Sequence, residues 1–207
     1  KATEALALAE AQIARDNTSV EAQWTKAYIL FEQKRWKDSA AAYSAAANLA
    51  PTESALHHNL GLALERSGDW AGAEAAFAKG ASGSQPRWES LFGLAVAKFA
   101  NGSFEEAAEC FRKVIATEPN HADSHFGLAA SLERIGQHAA SLTSLERVIA
   151  LDPKNIDARE AAVGLALALD DSAKSVAQAA ELVKMKQDSP TALKALATSK
   201  LSAGDFA

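Results

Sequence analysis

The stretch His58-Asn59-Leu60-Gly61-Leu62-Ala63, followed closely by Gly68-Asp69-Trp70, decides the fold of this chain. The corresponding stretch 122–135 carries Leu128, Ala129 and Leu132 on one stripe at helical spacing, so an amphipathic helix is predicted at both places. Gly68 predicts the end of that helix, because glycine adopts the left-handed backbone conformation at little cost. The stretch therefore predicts one helix, a tight turn and the start of a second helix.

The pattern recurs along the chain every 34 residues, which is the interval from Gly68 to Gly102. Gly136 follows Gly102 at the same interval, Gly204 lies two periods after Gly136, and Asp170 occupies the skipped position. Large side chains stand two residues after most of these positions, with one member a period earlier: Trp36, Trp70, Phe104, His138 and Phe206. Prolines keep the same phase, with one member a residue out of step: Pro51, Pro86, Pro119 and Pro153. Such a period predicts a row of stacked units, each made of two helices.

In this register the chain contains five full units with a partial unit at each end. The predicted full units are 20–53, 54–87, 88–121, 122–155 and 156–189. Residues 1–19 are predicted to be the second helix of a partial unit, and residues 190–207 the first helix of another, so we expect the native protein to be longer. The 156–189 unit lacks both its turn glycine and its aromatic residue, which predicts local distortion.

These residues resemble the tetratricopeptide-repeat family. The resemblance rests on the opening stretch, on Phe104-Glu105-Glu106-Ala107 and on Ala150-Leu151-Asp152-Pro153, and one phase extends over essentially the whole chain. It implies an all-α fold, an α-solenoid in which antiparallel helix pairs of 34-residue repeats form a right-handed superhelix. It also implies that the first helix of each pair lines a concave wall.

Two rows of small residues recur where paired helices must approach closely. The first row is Ala27, Gly61, Ala95, Ala129, Val163 and Ala197, and the second is Ala5, Ser39, Ala73, Ala107, Ser141 and Ser175. Small side chains allow close backbone approach, while larger residues, Leu60, Leu94, Leu128 and Leu196, fill the space between layers. We therefore expect stability to accumulate through contacts between neighbouring units.

Composition narrows the function. A formal charge of −5 without clustered Lys and Arg argues against nucleic-acid binding and disfavours acidic partners. No apolar run approaches the roughly 20 residues of a membrane span, so no direct membrane insertion is expected. The prediction is a soluble protein, with the cytoplasm favoured and the periplasm open if a signal peptide has been removed. The single cysteine leaves the redox compartment undecided.

The resemblance maps a partner-binding surface onto the first helices. The predicted groove residues are Trp24, Tyr28, His58, Asn59, Leu62, Phe92, Val96 and Phe126. Trp24 and Tyr28 are the first candidates because Trp and Tyr are enriched among residues that dominate binding energy. Small residues beside them predict a trough: Thr25, Asn59, Gly93, Gly127, Ala161 and Ala195.

A core role is the alternative to a groove role for these aromatic residues. It is favoured for Trp36, Trp70, Phe77, Phe104 and Phe111, because aromatic residues at helical spacing are usually buried. For Trp24, Tyr28, Phe92 and Phe126 the two interpretations stay open.

The predicted function is a non-enzymatic scaffold that holds a peptide or helix of a partner protein. The predicted wall carries more acids (Glu21, Glu65, Glu89, Asp123, Glu133, Asp157 and Glu160) than bases (Arg66, Arg134 and Lys194), so apolar anchors with basic flanks are the expected partner chemistry. A chaperone C-terminal tail is not expected, because only Asn59 matches the carboxylate-clamp residues of that class. The alternatives are a self-associating module, or the repeat arm of a larger enzyme or of a secretion or assembly machine.

No catalytic, metal or cofactor residues are predicted. His121 and His125 have a spacing that suits two metal ligands on one helix, but no third ligand accompanies them. The pair His57-His58 and the lone Cys110 are interpreted as surface or packing residues.

Leu128→Ala tests the register. As a core truncation it should lower the free energy of unfolding by roughly 2–5 kcal/mol, measured by urea denaturation. A loss below about 0.5 kcal/mol, within the range of ordinary surface substitutions, would show that the register is wrong.

Overall fold

The computed structural model describes residues 2–82, 87–186 and 190–204 of the chain. The in-phase Phe206 and the out-of-step Pro86 lie outside these described residues.

The described residues form twelve α-helices joined by short turns. They are α1 Ala2–Arg15, α2 Val20–Glu32, α3 Trp36–Leu49, α4 Ser54–Ser67, α5 Trp70–Gly80, α6 Trp88–Ala100, α7 Phe104–Thr117, α8 Ala122–Arg134, α9 His138–Leu151, α10 Ile156–Ala168, α11 Ser172–Met185 and α12 Pro190–Ser202. The even-numbered helices begin at evenly spaced positions from Val20 to Pro190, and the odd-numbered helices begin at the same spacing from Ala2 to Ser172. The predicted all-α fold is confirmed, and its helices repeat with the period read from the glycines.

A residue with positive φ follows each even-numbered helix of the described chain. These residues are Lys34, Gly68, Gly102, Gly136, Asp170 and Gly204, with φ between 56° and 85°. Asp170 takes the place of glycine, since a short polar side chain tolerates the left-handed region. Its flanking helices α10 and α11 keep the phase of the other pairs, so the distortion expected for this unit is not seen in its helices.

The helices group into two compact units, each larger than one repeat. From here on, the first unit is Lys1–Thr117 and the second unit is Glu118–Ala207. The first unit contains α1 to α7 and the second contains α8 to α12. Within each unit, helices that follow one another along the chain pack together. In addition α4 contacts α6 in the first unit, and α10 contacts α12 in the second. These even-numbered helices of successive pairs therefore lie side by side.

The two small-residue rows meet at buried contacts inside the helix pairs. Ser39 Oγ donates a hydrogen bond of 2.8 Å to the carbonyl of Ala27, and Ser141 Oγ donates an equivalent bond of 2.8 Å to the carbonyl of Ala129. A bulky side chain at either serine position would hold the backbones apart. Ala197, in contrast, is exposed, so the first row does not extend as a buried contact into α12.

Phe77 of α5 fills the space that two glycines leave between α4 and α6. A Cβ atom added to Gly61 or to Gly93 would approach the Phe77 ring to 2.6 Å. Phe77 is fully buried as a result. Gly93 is therefore a packing residue, and the predicted trough of small residues is wrong at this position.

Side chains tie the start of an even-numbered helix to the turn before it. The donors lie six residues after a proline, and the bonds, each 2.9 Å, are His57 Nε2 to Pro51 O, His125 Nε2 to Pro119 O and Arg159 Nη2 to Pro153 O. Arg159 also donates to Gln178 Oε1 of α11 at 2.5 Å. The recurrence of Pro with His or Arg six residues later is a signal that could have predicted these contacts. They give His57 and His125 a structural role.

Gly93→Ala should destabilise the chain although alanine is the better helix former. Overlap with the Phe77 ring costs about 1–3 kcal/mol, and helix propensity returns about 1 kcal/mol, so we expect a net loss of about 1 kcal/mol in urea denaturation. The matched control is Gly164→Ala in α10, where no heavy atom lies within 4 Å of the added Cβ. This control should gain about 0.5–1 kcal/mol. A Gly93→Ala variant that gains as much as the control would contradict the assigned packing.

Candidate functional site

Helix α2 places two aromatic side chains in solvent. Its first turn is capped by Ser19, whose Oγ accepts a hydrogen bond from the backbone N–H of Ala22 at 3.2 Å. Ala27 and Leu30 on one face of α2 are buried. Trp24 and Tyr28, one helical turn apart, are 40% and 48% exposed and stack with ring centroids 5.6 Å apart and planes within 8° of parallel. Two stacked aromatic residues on the surface form a rigid apolar platform.

The platform borders a cleft of about 270 Å³ within the first unit. Residues from α2, α3 and α4 line this cleft: Trp24, Tyr28, Phe31, Glu32, Tyr43, Asn59 and Leu62. Four of the predicted groove residues, Trp24, Tyr28, Asn59 and Leu62, thus come together at one place. We call it the Trp24–Tyr28 cleft.

The cleft is aromatic and carries one ionisable carboxylate, Glu32. Tyr43 is buried at its base, and burial raises the pKa of Tyr43 to about 12, with smaller contributions from Tyr28 and Glu32. The cleft has a net negative charge, since its lining residues include no Lys or Arg.

Three other predicted groove residues lie on α4 and α6 outside this lining. His58 Nδ1 is 3.2 Å from Ser90 Oγ, and the His58 ring lies 5.7 Å from that of Phe77, so His58 takes part in packing between α4 and α6. Burial and the Arg87 cation lower the pKa of His58 against the opposing effect of Glu89. Phe92 contacts Phe111 edge to face at 5.9 Å, and Val96 is half-buried.

Phe126, the last predicted groove residue, belongs to the second unit. Its side chain on α8 is 37% exposed. It is a surface aromatic residue of that unit.

The aromatic residues expected in the core divide into two groups. Phe77 and Phe111 are buried. Trp36, Trp70 and Phe104 begin odd-numbered helices and are half-buried. Of these, Trp36 contacts Phe31 at 4.9 Å and Phe104 contacts Phe99 at 5.2 Å, both edge to face. These pairs link the end of one helix to the start of the next.

Several acids of the predicted wall have surroundings that reduce the negative charge they offer to a ligand. Glu89 forms a salt bridge of 3.4 Å with Arg87, and Glu160 lies 3.9 Å from Lys186. Burial raises the pKa of Glu65, although the nearby Arg66 opposes this shift. The negative charge available to a ligand is therefore smaller than the sequence count indicates.

The histidine and cysteine residues considered for metal binding or catalysis take part in helix capping or are buried. His121 Nδ1 accepts a hydrogen bond of 3.2 Å from the backbone N–H of Ser124, which caps α8. Cys110 is buried, and desolvation raises the pKa of its thiol. Among the described residues, no three His, Cys, Asp or Glu side chains are grouped to hold a metal ion. Within the same residues, no helix combines the length and hydropathy that crossing a bilayer requires.

Sequence reasoning missed Glu32 and Tyr43 as cleft residues. Glu32 lies four residues after Tyr28 and eight after Trp24, so helical spacing could have placed it on the same stripe. Tyr43 lies on α3, and no spacing rule for a single helix would bring it to this cleft.

Tyr43 ionisation tests the burial at the base of the cleft. In Tyr28→Phe, which leaves Tyr43 as the sole tyrosine, ultraviolet titration should give a midpoint for the folded chain well above the midpoint near pH 10 in urea, because burial, the largest cause of the raised pKa, is kept while the contribution of Tyr28 is lost. Because the folded-state pKa is raised, the stabilisation from neutral Tyr43 is complete below pH 10 and is lost as the pH rises towards 12. A midpoint near pH 10 with the helical signal intact would contradict this burial.

Comparison with known proteins relates the geometry to a family. Residues 92–156 match the model of a tetratricopeptide repeat. Comparison with curated protein sequences gave no significant match.

Several solved structures share the fold at low sequence identity. YrrB, described as a tetratricopeptide protein with an unusual peptide-binding site, superposes with a TM-score of 0.77 at 16% identity, covering 90% of this chain and 96% of its own. MamA from Desulfovibrio magneticus RS-1 gives 0.75 at 13% identity, covering 83% of this chain and 97% of its own. PilW, a type IV pilus biogenesis factor, gives 0.71 at 18% identity, covering 94% and 90%. The predicted resemblance to the tetratricopeptide-repeat family is thus confirmed, in sequence over residues 92–156 and in fold over most of the chain.

Proposed function

We propose that this chain is a protein-interaction scaffold that binds a peptide segment of a partner in the Trp24–Tyr28 cleft. The observation that carries the proposal is the exposed stack of Trp24 and Tyr28 beside a cleft of about 270 Å³. Exposure of large apolar side chains to water is unfavourable, so an exposed aromatic pair often marks a binding surface. Trp and Tyr are also among the residue types that most often dominate binding energy.

The shape of the cleft supports a peptide ligand. Trp24 and Tyr28 supply apolar contact area, and Leu62 extends it onto α4. The side chain of Asn59 makes no hydrogen bond to any described residue, so it is free to bond a peptide backbone. Apolar area with a few polar groups is the usual composition of a ligand site.

The fold comparison supports the same class of function. YrrB is described as having a peptide-binding site, and Cut9–Hcn1, a further structure of this fold with a TM-score of 0.64, is a hetero-tetramer of the APC/C. We extend this to the present chain as a proposal: the partner is a protein or peptide with apolar anchors and basic flanks. His58, Phe92 and Val96 would extend the contact along α4 and α6.

The proposal contains no catalytic step. His57, His121 and His125 are engaged in helix-capping or turn contacts, and Cys110 is a buried thiol. These contacts and this burial support structural roles for the four residues.

Exposed leucines on α1 and α12 favour self-association as a second candidate function. Leu8 is 72% exposed, and Leu201 is 62% exposed. Light scattering over a range of concentrations tests this directly. A mass that rises with concentration in the wild type, and not in Leu8→Ser or Leu201→Ser, would support it, whereas a strictly monomeric wild type would reject it.

The peptide-binding proposal is tested with peptides selected from a random display library on the wild-type chain. Their affinities for wild type, Trp24→Ala and Tyr28→Ala are then measured by calorimetry. Each substitution should weaken binding by about tenfold or more, since it removes a central aromatic contact.

Leu49→Ala is the matched control, because Leu49 is a 39% exposed apolar residue of α3 in the same unit, away from the cleft lining. It should leave the affinity unchanged. Peptides that bind Trp24→Ala and Tyr28→Ala as tightly as the wild type would reject the cleft as the site.

A further inference from the structure

Four of the seven residues that line the Trp24–Tyr28 cleft are aromatic: Trp24, Tyr28, Phe31 and Tyr43. The face of an aromatic ring carries negative electrostatic potential, and clusters of such faces attract cations. A purely apolar ligand would gain only hydrophobic contact with these rings, whereas a cation would also be attracted by the negative potential of the ring faces.

Glu32 adds a full negative charge beside the rings. It forms no salt bridge with any described residue, and no Lys or Arg lines the cleft. An acid that has no salt-bridge partner among the described residues, at the edge of an aromatic cleft lined by no Lys or Arg, is electrostatically complementary to a cation from a ligand.

The position of Glu32 in its helix strengthens this argument. Glu32 is the last residue of α2, and the last turn of α2 contains no basic residue. Carbonyl groups at the C-terminal end of a helix carry partial negative charge, so a carboxylate there is unfavourable for the isolated helix. The helix end and the carboxylate therefore both favour a cation at this edge of the cleft.

We propose that the Trp24–Tyr28 cleft recognises an arginine side chain of the partner, with its guanidinium group over the aromatic rings and paired with Glu32. Arginine fits better than lysine, because its planar guanidinium group stacks on rings and donates to a carboxylate through two N–H groups at once. Asn59 offers its amide oxygen as a further acceptor. This inference rests on the proposed function and names the partner residue that enters the cleft.

The neutrality of Tyr43 is compatible with this arrangement. Burial raises the pKa of Tyr43, so the base of the cleft keeps a neutral hydroxyl group, and Glu32 is the one acidic side chain of the cleft lining. The recognition should therefore depend on Glu32 and on ionic strength.

The test compares two small probes on the full chain, Nα-acetylarginine amide and Nα-acetylcitrulline amide, which have nearly the same shape but differ in charge. Binding is followed by NMR through the indole N–H of Trp24, assigned with Trp24→Phe. On the wild type the arginine probe should bind about tenfold more tightly than the citrulline probe, the range expected for a cation–π contact with a salt bridge.

Glu32→Gln should reduce this preference to about twofold, since only the ring contribution would remain. Glu109→Gln is the matched control in the same unit: Glu109 is an exposed acid of α7 outside the cleft lining, and its replacement should preserve the tenfold preference. Equal affinities for the two probes on the wild type, no response to either probe, or a preference that survives Glu32→Gln would each overturn the inference.

The two proposals can fail separately. If the probes bind equally and selected peptides still require Trp24, the arginine assignment alone is wrong. If selected peptides do not require Trp24 or Tyr28, the cleft is not the peptide site, whatever the probes show.

Discussion

Close backbone contact between paired helices is the constraint on which the rest of this structure depends. It is made where one small-residue row meets the other, as at Ser39 and Ala27 in the first unit. The hydroxyl of Ser39 is fully buried and satisfied by a carbonyl of the facing helix, so the contact combines close approach with a specific hydrogen bond. Ser141 and Ala129 make the same contact in the second unit, because the rows recur with the period of the helices.

The candidate site is a consequence of this packing. Ala27 and Leu30 fix one face of α2 against the core, which leaves Trp24 and Tyr28 in solvent. The packing of α3 between α2 and α4 brings Tyr43 to the base of the cleft and Asn59 to its far side. A cleft assembled from three helices owes its shape to tertiary contacts, and its chemistry comes from side chains that those contacts leave accessible.

Much of the fold could be predicted because its signals are local and periodic. The turn glycines, the small rows and the helix phase all follow from spacing in the chain. The 156–189 unit was expected to be distorted because it lacks both its turn glycine and its aromatic residue, yet Asp170 in the glycine position adopts a positive φ, as does Lys34. The packing of the flanking helices holds the turn in this conformation, and it compensates for the strain of a non-glycine residue with positive φ.

The candidate site was less predictable because it depends on which partner each side chain meets. The stripe of Trp24, Tyr28, Asn59 and Leu62 followed from the family's first-helix rule. That rule does not reveal that His58 meets Ser90, nor that Phe77 occupies the space beside Gly93. Tyr43 lies on α3 and Phe77 on α5, whereas the predicted groove residues lie on even-numbered helices. A one-helix pattern therefore cannot separate groove from packing positions.

The interdependence of paired helices is tested most directly by amide hydrogen exchange in a Ser39→Leu variant. The larger side chain at this buried contact should separate α3 from α2. The account predicts faster exchange throughout α2 as well as α3, with α9 and α10 keeping wild-type protection. Wild-type protection in α2 of this variant would contradict the claim that the small-residue contact holds the pair together.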